Sequence, residues 1–147
     1  MLLFSYGSNL AVDEMDRWCP GARFVEPARL DGYRLAFTRR SIRWRGGVAD
    51  IVPAAEAHVW GAAYEVEQAD LVALDAKEGA GAAYRRCGVE VAIGGRVVAA
   101  QAYEVIDKAA HVAPPPAYLR LLVRGARERG LPAEWVSALE AMAPAVR

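Results

Sequence analysis

The sequence predicts an α+β domain, strand-rich through its middle and helical towards its end, on three observations. Apolar segments with a period of two recur between Leu2 and Ile106, the spacing that sends alternate side chains to opposite faces of a strand. Asp31-Gly32 and Gly94-Gly95 stand between such segments as hairpin turns. Helical spacing is confined to Leu10–Trp18, Asp70–Glu78 and the stretch after Ala113-Pro114-Pro115-Pro116.

The first residues set the pattern. Leu2-Leu3-Phe4 reads as a buried strand, with Leu2, Phe4 and Tyr6 on one face and Leu3 and Ser5 on the other. Gly7 permits a backbone turn, and Ser8 or Asn9 is placed to cap the helix that Cys19-Pro20-Gly21 stops. A strand turning through Tyr6-Gly7-Ser8-Asn9 into a helix start leaves several backbone N–H groups facing one small space. Such a turn suits a carboxylate or a developing oxyanion, although an ordinary tight turn gives the same pattern. Met15 and Trp18 are expected to pack in the core.

Arg23–Leu30 reads as a strand in which Pro27 marks an edge or a bulge, and Tyr33–Thr38 alternates after the Asp31-Gly32 turn. The loop Arg39–Gly47 interleaves arginines with Trp44, a composition able to grip a phosphate or an unpaired base. No matching basic surface exists elsewhere, so the loop is expected to be solvated and to edge a pocket. Val48–Val52 and His58–Val66 are two further strands. The second is apolar on both faces, as in a strand deep in a sheet or barrel wall. His58, at its entry, is expected to be structural or exposed.

Asp70–Gly79 reads as a helix with Asp70 as N-cap, Leu71, Leu74 and Ala76 on the buried side, and Gly79 as the stop. Glu78 then falls at the helix C-terminus, where the dipole disfavours a negative charge. If also desolvated, its pKa rises, which suits a group that must take and return a proton near neutral pH. A surface glutamate beside Lys77 fits the same residues. In Tyr84–Ile93, Cys87, Val89, Val91 and Ile93 face inward and Arg86 and Glu90 outward, which makes Cys87 a core residue and not a nucleophile. Arg96–Ile106 returns with Gln101 and Tyr103 sharing a face with Val97, Ala99 and Val105. Polar groups on such a face need partners, and a ligand pocket supplies them. Leu119, Leu122, Val123 and Ala126 make a helical stripe with Arg120, Arg124 and Arg127 on the wet face, and Gly130 ends that helix. Pro132 opens the last helix at its first position, with Trp135, Leu139 and Met142 packing.

Composition bounds the function. A chain of 147 residues, 54% hydrophobic, with 18 basic and 18 acidic residues, is expected to be one globular domain spanning 1–147. The balanced charge argues against nucleic acid or an acidic membrane as partner. No apolar run reaches membrane-spanning length and no signal peptide is evident, so a cytoplasmic location is expected. Cys19 and Cys87 form neither a disulfide framework nor a metal motif, and His58 and His111 are the only histidines.

The combined motifs resemble the gamma-glutamylcyclotransferase (AIG2-like) family. The resemblance rests on Phe4-Ser5-Tyr6-Gly7-Ser8-Asn9-Leu10, Ala28-Arg29-Leu30 before Tyr33 and Phe37, and Trp44 with Gly46-Gly47. It continues through Val59-Trp60-Gly61, Leu74-Asp75 with Glu78-Gly79, Tyr84, Tyr103, Pro114-Pro115 before Tyr118, Gly125-Ala126 and Gly130-Leu131-Pro132, nearly the whole chain in order. It implies a small closed or nearly closed mixed β-barrel with flanking helices. It also implies conversion of a gamma-glutamyl amine or amino acid into 5-oxoproline and the free amine, without a metal or organic cofactor. By the same resemblance Glu78 is the catalytic carboxylate, Tyr6, Gly7, Ser8 and Asn9 hold the glutamyl group, and Tyr103, Tyr118 and Tyr84 line the pocket.

The chemistry is coherent with that assignment. One carboxylate of raised pKa can accept the substrate's ammonium proton and hand it to the leaving nitrogen, while loop N–H groups stabilise the oxyanion or hold the α-carboxylate. Ring closure is intramolecular, and oriented cyclisations draw roughly 7–11 kcal/mol from proximity. Two alternatives stand beside it. One is a relative acting on a larger gamma-glutamyl amine, such as an isopeptide lysine or a carrier-attached precursor. There Arg39–Arg45 and the residues near Ala80-Gly81-Ala82 would set the choice. The other is a binding module without turnover, which has no need of Glu78. Ser8 as a nucleophile lacks an evident histidine or lysine base. Apolar residues of the tail are compatible with a homodimer and equally with core packing.

Overall fold

Two long antiparallel strands, β2 (Arg23–Ser41) and β3 (Gly46–Glu65), form the ribbon on which the rest is assembled. The structure, a computed structural model, describes residues 1–79 and 81–142. β1 (Leu2–Ser5) pairs antiparallel with β3, and β4 (Tyr84–Ile93) pairs antiparallel with β5 (Arg96–Val105). β4 touches β2 through Arg29 opposite Ala92, and β5 returns to β1 in parallel through Gln101 opposite Leu3. The order β1-β3-β2-β4-β5 thus closes into the mixed barrel that the family resemblance implied. Closure removes the unpaired edges that an open sheet leaves.

The ribbon corrects one expectation. Asp31-Gly32 is not a hairpin turn: the segments on either side of it pair with the same strand, Leu30 opposite Val59 and Leu35 opposite Ile51. Gly32, at φ +83°, takes up a register shift, as does Glu56 at φ +63° on the opposite strand. The two strands expected at Val48–Val52 and His58–Val66 are therefore one. A bulge between Phe24 and Glu26 lies directly before Pro27, where a missing N–H costs least. Both faces of β3 near its end are covered: Val59, Ala62, Ala63 and Tyr64 are all buried, and His58 is exposed.

Helices pack outside the barrel. α1 (Val12–Trp18) starts later than expected, after a separate 3-10 turn at Ser8–Leu10. Neither Ser8 nor Asn9 caps it; Val12 N–H donates instead to the carboxylate of Glu128, 2.9 Å away in the third helix. α2 (Gln68–Glu78) is capped by Glu67, with Asp70 one turn in as its reciprocal partner and not as the cap. Leu71 and Leu74 are buried as expected, but Ala76 is exposed. α3 (Pro116–Glu128) buries Leu119, Leu122 and Ala126 and leaves Arg120, Arg124 and Arg127 wet. α4 (Ala133–Ala141) takes Pro132 as its N-cap, one position earlier than expected. Gly125 sets how closely α3 approaches the 3-10 turn: a Cβ there would lie 2.5 Å from the Ala11 nitrogen. Only glycine lets α3 clamp the end of that turn.

In β5 the buried positions are Ala100 and Ala102, paired with Val89 and Cys87, together with Tyr103 and Val105. Val97 and Ala99, expected to share a buried face with Tyr103, are exposed. Tyr103 stands opposite Arg86 on that outer face and is buried only because α2 lies over it. No helix is long and apolar enough to cross a membrane among the described residues.

Candidate active site

Glu78 ends α2, and Gly79, at φ +61°, turns the chain away by donating its N–H to the Ala76 and Asp75 carbonyls. Because β1 and the turn after it run beside this helix end, the Glu78 carboxylate meets Asn9: Nδ2 of Asn9 donates to Oε1 across 3.3 Å. The Glu78 side chain is only 16% exposed. Burial raises its pKa, and the Lys77 ammonium and the Asn9 hydrogen bond pull it part of the way back. The net direction is upward, the outcome expected if the carboxylate at this helix end were also desolvated.

The turn is arranged for donation. Tyr6 Oη donates to the Tyr103 carbonyl at 2.5 Å and Tyr64 Oη donates to the Asn9 carbonyl at 2.9 Å, fixing the turn at both ends. Leu10 and Ala11 N–H donate back to Gly7 and Ser8, whereas the N–H groups of Gly7, Ser8 and Asn9 have no acceptor among the described residues. Space at Gly7 is tight, since a Cβ there would lie 3.3 Å from Ala49 Cβ and 3.4 Å from the Tyr118 hydroxyl.

Tyr118 and Tyr84 grip one residue from two sides. Ala49 N–H donates to Tyr118 Oη at 3.0 Å, and Tyr84 Oη donates to the Ala49 carbonyl at 3.0 Å. The Tyr118 hydroxyl therefore keeps its proton free for a ligand, and Tyr84 keeps a lone pair. Burial raises the pKa of Tyr6, Tyr84, Tyr103 and Tyr118, so each stays a neutral phenol near pH 7. Tyr103 Oη is turned to Asp75 of α2, so its side chain steadies the helix that carries Glu78.

All the sequence-predicted residues meet in one place: Tyr6, Gly7, Ser8, Asn9, Glu78, Tyr84, Tyr103 and Tyr118 line an inner pocket of about 40 Å³. An outer chamber of about 410 Å³ shares Ser8, Glu78, Tyr84 and Tyr118 with it and is rimmed by residues of the turn between β2 and β3. Glu78 thus stands at the junction. The basic loop does edge a pocket, as expected, though as the end of a strand pair and not as a free loop. Ala80, grouped with Gly81 and Ala82 as a determinant of the amine, lies outside the described residues.

Several participants were missed. Lys77 is not on the surface beside Glu78; its side chain is 9% exposed, with Nζ 3.8 Å from Glu78 Oε1 and 3.3 Å from Ser8 Oγ, and it donates to Asn9 Oδ1. A lysine does therefore lie beside Ser8. Its ammonium faces Glu78 and Glu14 together and donates to Ser8, so it holds the turn, while burial lowers its pKa against the pull of those two carboxylates. Glu14, 10% exposed, also receives a two-pronged bond from Arg43 at 2.9 and 3.0 Å. Asp50, fully buried, accepts from Thr38 Oγ1, from Ile51 and Val105 N–H and from Lys108. The one signal in the sequence was position: Asp50 follows Ala49 in a strand otherwise apolar, and a charge there must be paired. Cys87 is half-buried, and desolvation lifts its thiol to about 11, which leaves it unreactive as expected.

Comparisons with known proteins converge on the same architecture. The AIG2-like family model matches residues 58–139. The chain is similar to the gamma-glutamylcyclotransferase of Mus musculus, 33% identical over 97% of this chain and 79% of that protein, and to the Homo sapiens one, 32% identical over the same shares. A solved gamma-glutamyl cyclotransferase superposes with a TM-score of 0.93 at 31% identity, covering 100% of this chain and 90% of the other. With family model, sequence relatives and three-dimensional superposition in agreement over most of its length, the chain belongs to the gamma-glutamylcyclotransferase, or AIG2-like, family.

Proposed function

We propose that this protein converts a gamma-glutamyl amine or amino acid into 5-oxoproline and the free amine, with Glu78 as its acid/base. The observation that supports this best is a desolvated carboxylate, oriented by Asn9, at the junction of a narrow pocket and a wider one. The glutamyl group occupies the inner pocket, and its amide bond lies at the junction beside Glu78.

Glu78 takes a proton from the substrate's α-ammonium. The freed nitrogen attacks the γ-carbonyl carbon, and the carbonyl electron pair moves to oxygen. The turn's N–H groups and the Tyr118 hydroxyl are the donors at hand for that oxyanion and for the α-carboxylate. The tetrahedral centre then collapses, the bond to the original amide nitrogen breaks, and Glu78 delivers the proton to it. The attacking nitrogen loses two protons in all and the departing one gains two, so the amine leaves as an ammonium ion beside a neutral lactam. A raised carboxyl pKa keeps both transfers close to thermoneutral.

The inner pocket's size supports a small glutamyl head, and a pure binding module has no need of a desolvated carboxylate, so turnover is the reading the site favours. Incubating the purified protein with a panel of gamma-glutamyl amino acids and amines, and measuring 5-oxoproline, tests it. Release above the uncatalysed rate is expected; no release from any member would refute it.

A further inference from the structure

We infer that Glu14 is a positioning residue for the proton transfer: anchored by Arg43, it shares the Lys77 ammonium with Glu78 and keeps that cation out of a closed ion pair with the acid/base. This rests on the proposed cyclotransfer, since Glu14 acts on that reaction's carboxylate through Lys77.

Lys77 Nζ stands 3.8 Å from Glu78 Oε1 and 4.0 Å from Glu14 Oε1, yet its hydrogen bonds go to neutral oxygens, Ser8 Oγ and Asn9 Oδ1. A single desolvated carboxylate draws an ammonium into direct contact, where the bond is short and strong. Here two carboxylates compete for it at nearly equal distance. Glu14 comes from α1, Lys77 and Glu78 end α2, and Arg43 lies in the turn between β2 and β3. Three separate parts of the chain therefore set the charge beside the acid/base. Arg43 donates to both Glu14 oxygens, at 2.9 and 3.0 Å. Without that fork Glu14 would be a buried charge with Lys77 as its remaining ion-pair partner, and would draw it away from Glu78.

The electrostatics agree. Burial works against the Glu14 charge, but Arg43 and Lys77 outweigh it and hold its carboxyl below the usual range. The cation that acts on Glu78 is Lys77. Other titratable groups stand around these three. Tyr6, Tyr84, Tyr103 and Tyr118 surround Glu78 and stay neutral. Cys19, near Lys77, keeps its proton, its thiol lifted by burial to about 11. Asp13, next to Glu14, is paired with Arg124, and Asp75 is turned to Tyr103 and Arg86. Arg39, on the chamber wall, is charged throughout. Glu14 thus sets how much of the Lys77 charge Glu78 feels. A Glu78 paired wholly with Lys77 would be a weaker base towards the substrate's ammonium.

The test titrates the Glu78 carboxyl by carbon NMR in protein labelled at glutamate Cδ, the signal assigned by its loss in Glu78→Gln. The pH profiles of kcat and kcat/KM for 5-oxoproline release from gamma-glutamyl-L-alanine are recorded beside it. In Glu14→Gln the Glu78 titration and the acid limb are expected to move to lower pH, with kcat reduced and KM held. Glu14→Asp, which keeps the charge on a shorter arm, should fall between that variant and the native protein. Arg43→Met should move both readings to higher pH, because Glu14 then draws Lys77 towards itself. In a Lys77→Met background Glu14→Gln should shift neither. A Glu78 titration that stays put or rises in folded Glu14→Gln overturns the proposal, as does an equal shift in the Lys77→Met background. Should Glu14→Gln fail to fold, an unmoved titration in Glu14→Asp and Arg43→Met overturns it instead. The titration needs no turnover, so the two readings separate. Shifts as stated in a native protein that releases no 5-oxoproline would refute the cyclotransfer and leave the charge sharing in place, and an unmoved titration in an active protein would do the reverse.

Discussion

Asn9 links the two ends of the site: its Nδ2 donates to Oε1 of Glu78 at 3.3 Å while its Oδ1 accepts from Lys77 on the neighbouring residue. One amide thereby fixes both the proposed acid/base and the cation that tempers it. The Asn9 backbone is anchored independently by the Tyr64 hydroxyl, so truncating the side chain is expected to leave the turn in place.

Asn9→Ala should therefore act on kcat more than on KM. Misplacing a reacting group by about 1 Å costs on the order of a hundredfold, and a loss between ten- and a hundredfold in kcat is expected from steady-state 5-oxoproline release. A pure rise in KM would assign Asn9 to glutamyl binding alone.

Lys77→Met should move the acid limb of the kcat/KM profile upward. Glu78 must be ionised to take the ammonium proton, and the Lys77 charge holds its carboxyl below where burial alone would set it. Without that cation protonation begins at higher pH, so activity is lost earlier as pH falls. Glu14 retains Arg43 as partner and does not confuse the reading. A limb that stays put or moves down would mean another group controls it.

Much of this site was legible in the chain, and the parts that were not share a cause. Tyr6-Gly7-Ser8-Asn9 and Glu78-Gly79 announce themselves because a turn and a helix stop are local events, set by residues adjacent in sequence. Lys77, Glu14 and Asp50 do not: a charged residue defaults to solvent, and only tertiary pairing shows that these three are buried. The Asp31-Gly32 break misled for the complementary reason. A bulge and a hairpin look alike within a few residues, and only the shared partner β3 separates them. Tyr103 lines the inner pocket, but its hydroxyl turns to Asp75, a contact between elements that no periodicity contains.

Asp50→Ala should destabilise the barrel without touching substrate. It would leave the Ile51 and Val105 N–H groups without their acceptor, at roughly 1–3 kcal/mol for each orphaned donor. A loss of about 3 kcal/mol is expected, read as a lower urea midpoint with an unchanged slope.

The central claim is that the Glu78 carboxylate moves the proton. The direct measurement is the single-turnover rate of 5-oxoproline formation by Glu78→Gln on gamma-glutamyl-L-alanine, with circular dichroism and the urea midpoint recorded on the same sample. Glutamine keeps the shape and an acceptor for Asn9 but cannot shuttle a proton, so a fold close to the native one and a rate lower by roughly 10²–10⁴ are expected. A folded Glu78→Gln protein that forms 5-oxoproline at the native rate would contradict it.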